Sequence, residues 1–285
     1  MQKIQLVQHR LGIKFGGLVY LANTPGLQPG ANGSNPLSST KISNVMDKKF
    51  SSILAFGDSV VAGFESKPEH EECFSLYKQG KITLEELDNY GKPYSFANLL
   101  ANKLNVPCYN FALTGGSNDR SIRVLSKEAL KHTNSLILFG YTSTARKEFY
   151  YPDSGIYLAR DSDLFMQVGP QWAEHASEFD NIKHPINDRY LRDICRPYNN
   201  LYETMVSVDA ISKRYMHTVI HIPLFPETVP DVVNNIFDFE KKGNYFDWCK
   251  YKEFTYTKRD HYDYKSHIAV CELINMYLQN INVLS

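Results

Sequence analysis

The stretch "FGDSVVAGFE", residues 56–65, follows a short apolar run and places Ser59 between Gly57 and Gly63. The run that leads into it, "SSILAFG" (51–57), suits a buried strand, so Ser59 stands where a strand turns into a helix. A serine at such a turn can cap the helix, or it can act as a nucleophile beside the free N-terminal amides. Taken by itself, this stretch favours the helix cap, because such tripeptides are common.

Short apolar runs and amphipathic segments alternate through the rest of the chain. Strands are predicted at 106–113, 135–142 and 217–225, and helices at 94–105, 118–132, 186–215 and 266–281. Pro197 is predicted to kink or break the third of these helices. The alternation predicts an α/β fold with a mostly parallel sheet covered by helices on both faces. In such sheets the ligand site lies at the carboxyl ends of the strands.

The chain divides by composition into an N-terminal segment, residues 1–45, and a domain at 46–285. Residues 23–44 are dense in Gly, Pro, Asn and Ser, which is typical of a linker or long loop. Insertions are predicted at about 151–185 and 226–258, where periodicity is weak. The first is aromatic and acidic, and we interpret it as a lid over the sheet edge.

The composition argues against several kinds of partner. The formal net charge is zero, so nothing indicates nucleic acid or an anionic membrane surface. No apolar run reaches the roughly 18 residues of a membrane span, and "FGGLVYLA" (15–22) is too short to favour a cleaved signal. We therefore expect a cytoplasmic or virion-associated protein. Five cysteines without a C-x-x-C pair favour reduced thiols over disulfides or a structural zinc site.

A glycine-rich loop follows the second predicted strand. In "NFALTGGSND" (110–119), Gly115 and Gly116 stand just before a helix, where bare backbone N–H groups can approach a substrate oxygen. The same residues also suit a flexible turn in which Asn118 caps the helix. Because carboxyl ends of parallel strands share one edge, this loop should open beside Ser59.

A third polar stretch, "RDHYDYKSH" (259–267), leads into the last helix. One of its histidines could be a general base oriented by a carboxylate. Alternatively, His261, Asp263 and His267 could bind a metal ion. In a purely structural interpretation, Asp260 or Asp263 caps the helix.

The order of the three blocks resembles that of the SGNH, or GDSL-type, hydrolase family. The likeness lies in Gly57-Asp58-Ser59, in Asn110 and Gly115, and in the terminal Asp/His block. It covers roughly residues 50–145 and 255–282. The wording of residues 94–122 also resembles forms of this family found in phage and environmental bacterial sequences.

The resemblance implies a three-layer, flavodoxin-like α/β/α sandwich that hydrolyses a carboxylic ester through an acyl-enzyme, without a metal or cofactor. By this likeness Ser59 attacks the carbonyl and His261, the first His of an H-x5-H spacing, accepts its proton. The Ser59 and Gly115 backbone N–H groups and a third donor hold the oxyanion. Asp58 takes a loop-fixing role. The expected substrate is an acylated small molecule or a carbohydrate O-acetyl ester.

The third block departs from the family's pattern. Thr142 stands where the family normally has Asn. Either Thr142 or Asn118, on the neighbouring loop, is therefore expected to supply the third oxyanion donor. Arg146 nearby could bind an anionic group of the substrate or simply be solvated.

The last block also departs from the pattern. The family's acid usually lies three residues before the catalytic His, and that position holds Lys258. The acid that orients His261 is therefore expected to be Asp260, with Asp263 as the alternative. These two departures also support a different function, a catalytically weakened or inactive member of the fold that serves as a binding or structural protein, for example of a phage virion.

Overall fold

The computed structural model describes residues 50–67, 69–144, 146–150, 165–168, 197–226, 231–259 and 261–281. The chain divides into two compact units, Met1–Val45 and Met46–Ser285, and every described residue belongs to the second. The predicted linker and most of the predicted insertion at 151–185 therefore lie outside the described residues. Among helices in the described ranges, none is long and apolar enough to cross a membrane.

Parallel strands form the central sheet. In chain order the strands are β1 (Ile53–Phe56), β2 (Cys108–Asn110), β3 (Leu136–Tyr141), β4 (Lys147–Tyr150), β5 (Phe165–Val168) and β6 (Thr218–Pro223). The sheet has the order β2–β1–β3–β6 with all neighbours parallel, while β4 and β5 form a separate antiparallel pair. The chain passes from β1 to β2 on one side and then to β3 on the other, which is the flavodoxin-like order. A crevice therefore opens at the carboxyl ends of β1 and β3.

Helices connect and cover these strands. In chain order they are α1 (Ser59–Ala62), α2 (His70–Lys78), α3 (Leu84–Gly91), α4 (Phe96–Leu104), α5 (Asn118–Glu128), α6 (Pro197–Arg214), α7 (Tyr245–Tyr251) and α8 (Tyr264–Asn280). Pro197 is the first described residue of α6, where a proline in the first helical turn sacrifices no backbone hydrogen bond, and residues 186–196 of the predicted third helix lie outside the described residues.

The two faces of the sheet carry separate apolar clusters. Ile53 and Ala55 pack with α4 and α8 on one face, whereas Leu54 and Phe56 pack with α5 and α6 on the other. All four side chains are fully buried, because successive residues of a strand point to opposite faces and both faces are covered. The predicted three-layer α/β/α fold with a parallel sheet is confirmed.

The described part of the segment 226–258 belongs to the core. Ile236 forms a bridge to His221 of β6 and so extends the edge of the sheet. Tyr245 and Trp248 of α7 are almost completely buried in the same apolar cluster as α8. This region therefore supports the sheet from one side.

Leu138 lies in β3 at the centre of the sheet and is fully buried, whereas Leu130 is 64% exposed. The Leu138→Ala variant is expected to lose about 2–5 kcal/mol of unfolding free energy, because its cavity cannot close inside a sheet covered on both faces. The control Leu130→Ala should change it by less than about 0.5 kcal/mol. Urea denaturation measures both, and equal losses would contradict the central position of β3.

Candidate active site

The turn after β1 decides between the two uses of Ser59. Asp58 is the N-cap of α1, and its carboxylate accepts the N–H of Val60 at 3.0 Å. Ser59 is the first residue of the helix and does not cap it. Its hydroxyl is therefore available for another partner at the carboxyl end of β1.

That partner is His261. Ser59 Oγ and His261 Nε2 are 2.7 Å apart, although the residues are 202 positions apart in the chain. The structure thus brings together the two side chains that the sequence predicts as nucleophile and base. The loop that carries His261 is closed upon itself, because the His261 N–H donates to Thr257 Oγ1 and the Thr257 N–H donates to the His261 carbonyl. The imidazole also lies against the Phe64 ring, with 5.1 Å between ring centres.

The carboxylate at the other nitrogen of His261 belongs to Glu65. Glu65 Oε2 lies 3.3 Å from His261 Nδ1, within ion-pair distance, and that nitrogen forms no hydrogen bond within the described ranges. Glu65 has a φ of 57°, a left-handed conformation that non-glycine residues rarely adopt. This strained turn immediately after α1 places a carboxylate beside the imidazole that contacts Ser59. Strain of this kind is concentrated at functional sites.

Two further partners fix the Glu65 carboxylate. The Thr257 hydroxyl donates to Oε2, and the Arg259 guanidinium lies 2.6 Å from Oε1. Arg259 also binds both oxygens of Glu71, at 2.9 and 3.1 Å, and lies over the Phe74 ring. The carboxylate is thus held from the side opposite the imidazole.

These contacts determine the ionisation of Glu65. Burial raises the pKa of this carboxyl, but the close contact with His261 and the hydrogen bonds from Thr257 and Arg259 outweigh burial and lower the pKa from 4.5 to about 2. Glu65 is therefore negatively charged at neutral pH. A carboxylate in this state stabilises positive charge on the adjacent imidazole.

The acids predicted from the sequence have other positions. Asp263 is the N-cap of α8, where its side chain accepts the N–H groups of Lys265 and Ser266, so the structure places it in the capping role. Asp260 lies outside the described residues. Glu65 is the last residue of the stretch 56–65. Because it is far from His261 in the sequence, the spacing of residues gave no signal for the contact between its carboxylate and the imidazole.

The residues of the alternative metal site have other contacts in the structure. His267 is buried against α4, where its Nδ1 accepts the N–H of Phe96 at 3.3 Å and its ring stacks on that side chain. Burial lowers the pKa of His267 from 6.5 to about 3. Asp263 is occupied as a cap and His261 contacts Ser59. Among the described residues, no group of three His, Cys, Asp or Glu side chains is placed to hold a metal ion.

Asn118 and Thr142, the two candidates for the third oxyanion donor, form hydrogen bonds that hold loops together. Asn118 Nδ2 donates to the Thr142 carbonyl and Asn118 Oδ1 accepts the Thr142 N–H, each at 3.0 Å. The single hydroxyl hydrogen of Thr142 is donated to Asp58 at 3.1 Å, and its oxygen accepts from Arg146 at 2.8 Å. The Thr142 hydroxyl is therefore occupied within the protein, and the Asn118 amide joins two loops. Arg146 pairs with Asp58 at 2.6 Å.

The glycine-rich loop lies directly against the Ser59 turn. A Cβ on Gly116 would come within 2.8 Å of the Gly57 carbonyl, so only glycine permits this approach. Gly115 has a φ of 74°, in the left-handed region. Neither the Gly115 N–H nor the Ser59 N–H donates to another group in the described part of the chain. Two backbone donors thus remain available near the nucleophile.

Comparisons with known proteins find similar structures but no similar sequences. No known sequence family and no curated protein matches the chain. One similar solved structure is a carbohydrate esterase whose active site displays divergent catalytic and non-catalytic binding functions. The two chains are 17% identical, the match covers 81% of this chain and 68% of the esterase, and the TM-score is 0.33. A second similar structure is the psychrotrophic esterase EstA from Pseudoalteromonas sp.. The two chains are 12% identical, the match covers 81% of this chain and 97% of EstA, and the TM-score is 0.31.

A third similar structure is the lipase/acylhydrolase from Enterococcus faecalis, at 15% identity over 80% of this chain and 95% of that one, with a TM-score of 0.33. At TM-scores this low, none of these likenesses carries an argument about activity. The resemblance to phage sequences has no support among them. The chemistry of this chain must therefore be argued from its own site.

The lowered pKa of Glu65 has a consequence for stability. Ionised Glu65 stabilises the fold above pH 4.5, and this contribution is lost as the pH falls towards about 2. The Glu65→Gln variant should therefore unfold more easily than the wild type at neutral pH, and the difference should shrink as the pH falls through that window. Urea denaturation at a series of pH values measures the difference.

The matched control is Glu72→Gln, an exposed carboxylate on α2 that forms no ion pair with any described residue. Its difference from the wild type should stay close to zero at every pH. A deficit of Glu65→Gln that is the same at every pH would contradict the charged contacts assigned to Glu65.

Proposed function

We propose that this chain is a serine esterase or acyl hydrolase that cleaves a carboxylic ester with a triad of Ser59, His261 and Glu65. The observation that carries the proposal is the 2.7 Å contact between Ser59 Oγ and His261 Nε2, at the carboxyl end of β1. A nucleophile, a base within hydrogen-bond reach and a third group that orients the base are the parts that such chemistry needs.

The reaction follows from the positions of these groups. Ser59 Oγ attacks the ester carbonyl carbon while His261 Nε2 takes the hydroxyl proton, and the ionised Glu65 stabilises the resulting imidazolium. The tetrahedral intermediate collapses, and the leaving alcohol takes the proton from His261. Water then loses a proton to His261, attacks the acyl-enzyme and releases the acid and the free Ser59 hydroxyl.

The negative oxygen of each tetrahedral intermediate needs hydrogen-bond donors. In our proposal these are the backbone N–H groups of Ser59 and Gly115. The side-chain donor that the family has at position 142 is missing, since Thr142 donates to Asp58. Loss of one oxyanion donor typically costs about 2.7–4 kcal/mol of transition-state stabilisation, so we expect a slow enzyme.

The alternative function, an inactive binding or structural protein, is not favoured. It depended on Lys258 at the usual position of the acid and on Thr142 in place of Asn. Glu65 supplies a carboxylate to His261 from another part of the chain, so Lys258 no longer argues against catalysis. Thr142 argues for a lower rate rather than for inactivity.

A fluorophosphonate probe should label the wild-type protein on Ser59, and p-nitrophenyl acetate should be hydrolysed. Ser59→Ala should abolish both, because no other hydroxyl is within reach of His261 Nε2 in the described structure. The control Ser126→Ala removes a hydroxyl on α5 and should change neither. Mass spectrometry locates the label. Equal labelling of the wild type and Ser59→Ala would contradict the proposal.

The acid is tested by comparing carboxylate variants. Glu65→Gln should lower kcat about 10²–10⁴-fold, because the imidazolium loses its counter-charge. Asp263→Ala should keep kcat within a few-fold while losing about 1 kcal/mol of stability, since Asp263 caps α8. Asp260→Asn should also keep kcat. A larger loss of kcat for either aspartate variant than for Glu65→Gln would overturn the assignment of the acid.

A further inference from the structure

A cavity of about 490 Å³ shares a wall with the proposed triad. Glu65 lines it, together with residues around α2 and the loop that carries His261. Its volume falls within the range of about 300–1,000 Å³ that is usual for small-molecule sites. The catalytic steps proposed above use Glu65 but leave the rest of the cavity without a role.

The acidic groups of the cavity wall all have partners within the protein. Glu65 and Glu71 share the Arg259 guanidinium, and Asp263 accepts backbone N–H groups at the start of α8. None of these carboxylates needs a cation from a ligand. The wall therefore does not resemble a site for a positively charged compound.

The ammonium groups of the wall are in a different situation. Lys258 and Lys265 are exposed side chains that form no ion pair with any described residue. Lys67 lies over the rings of Tyr90 and Tyr94, 5.1 and 4.9 Å from their centres, and pairs with Glu69 at 3.7 Å. Lys258 and Lys265 are thus the wall lysines without an ion-pair partner among the described residues, and their end of the cavity favours an anionic group.

Aromatic rings form another part of the wall. Tyr256 is 53% exposed and Tyr264 packs edge-on against Tyr94, so both tyrosines can present ring surface to the cavity. A tyrosine ring combines an apolar face with a polar hydroxyl. The C–H face of a sugar ring matches this combination, because it is apolar while the sugar edge carries hydroxyl groups.

A buried imidazole adds a hydrogen-bonding group. His70 lines the cavity and is 1% exposed, yet neither of its ring nitrogens has a hydrogen-bond partner in the described part of the chain. Buried polar groups without partners are rare in folded proteins and call for an explanation. A ligand in the cavity would give His70 the partner that the protein does not supply.

We propose that this cavity binds a carboxylate-bearing sugar unit, with Lys258 and Lys265 on the carboxylate, Tyr256 and Tyr264 on the ring, and His70 on a hydroxyl. The inference rests on the proposed function, because it makes this unit part of an acylated anionic saccharide whose ester reaches Ser59. Glu65 then separates the two halves of one site, the cavity on one side and His261 on the other.

Calorimetric titration tests the proposal without turnover. Digalacturonic acid, which carries no acyl group, should bind both the wild type and Ser59→Ala, and binding should weaken as the salt concentration rises. The combined Lys258→Met and Lys265→Met variant should lose about tenfold or more in affinity, since two charge-assisted contacts disappear. The control Lys250→Met, an exposed lysine of α7 outside the cavity wall, should bind as the wild type does.

Two other probes divide the proposal into its parts. Neutral galactobiose should bind at least tenfold more weakly than digalacturonic acid, and citrate should also bind more weakly. Equal binding of galactobiose would overturn the role of the lysines, and equal binding of citrate would overturn the role of the tyrosines. Absence of digalacturonic acid binding in a protein that hydrolyses p-nitrophenyl acetate would overturn the inference while leaving the hydrolase intact. Binding without hydrolysis would overturn the proposed function and leave the cavity assignment standing.

Discussion

The buried charge of Asp58 is the constraint around which the site is arranged. Its carboxylate is fully buried and is held by the Val60 N–H, the Thr142 hydroxyl and the Arg146 guanidinium. A buried charge is tolerated when paired and hydrogen-bonded in this way, and removal of a partner is strongly destabilising. The same contacts join the loop after β1 to the loop after β3. They also release Ser59 from capping and occupy the Thr142 hydroxyl, so one set of contacts makes the proposed nucleophile available and leaves Thr142 without a free hydroxyl hydrogen.

The proposed base and acid depend on a second local feature, the left-handed turn at Glu65. The turn comes two residues after Gly63, the C-cap of α1, which has a φ of 78°. Arg259 and Thr257 then fix the carboxylate, and both come from the loop that carries His261. The two loops therefore position each other: the His261 loop orients Glu65, and Glu65 faces the imidazole that contacts Ser59.

Much of this architecture could be predicted from the sequence. The apolar runs predicted β1, β3 and β6, and helical spacing predicted α4, α5 and α8. The rule that strand ends meet at one edge predicted that the glycine-rich loop opens beside Ser59. Thr83 and Glu86 form a capping box at the start of α3, a signal that could have predicted that helix as well.

The partners of the site residues were harder to predict. Glu65 reaches His261 through a positive φ, and no residue preference indicates such a turn at a glutamate. Asn118 and Thr142 bind each other across two loops, which depends on tertiary distance rather than on spacing.

The most direct test of the account is acid-quenched mass spectrometry during hydrolysis of p-nitrophenyl acetate. An acetyl group on Ser59 that forms and decays with turnover is the predicted result, and turnover with the acyl group on another residue, or with none on Ser59, would contradict it.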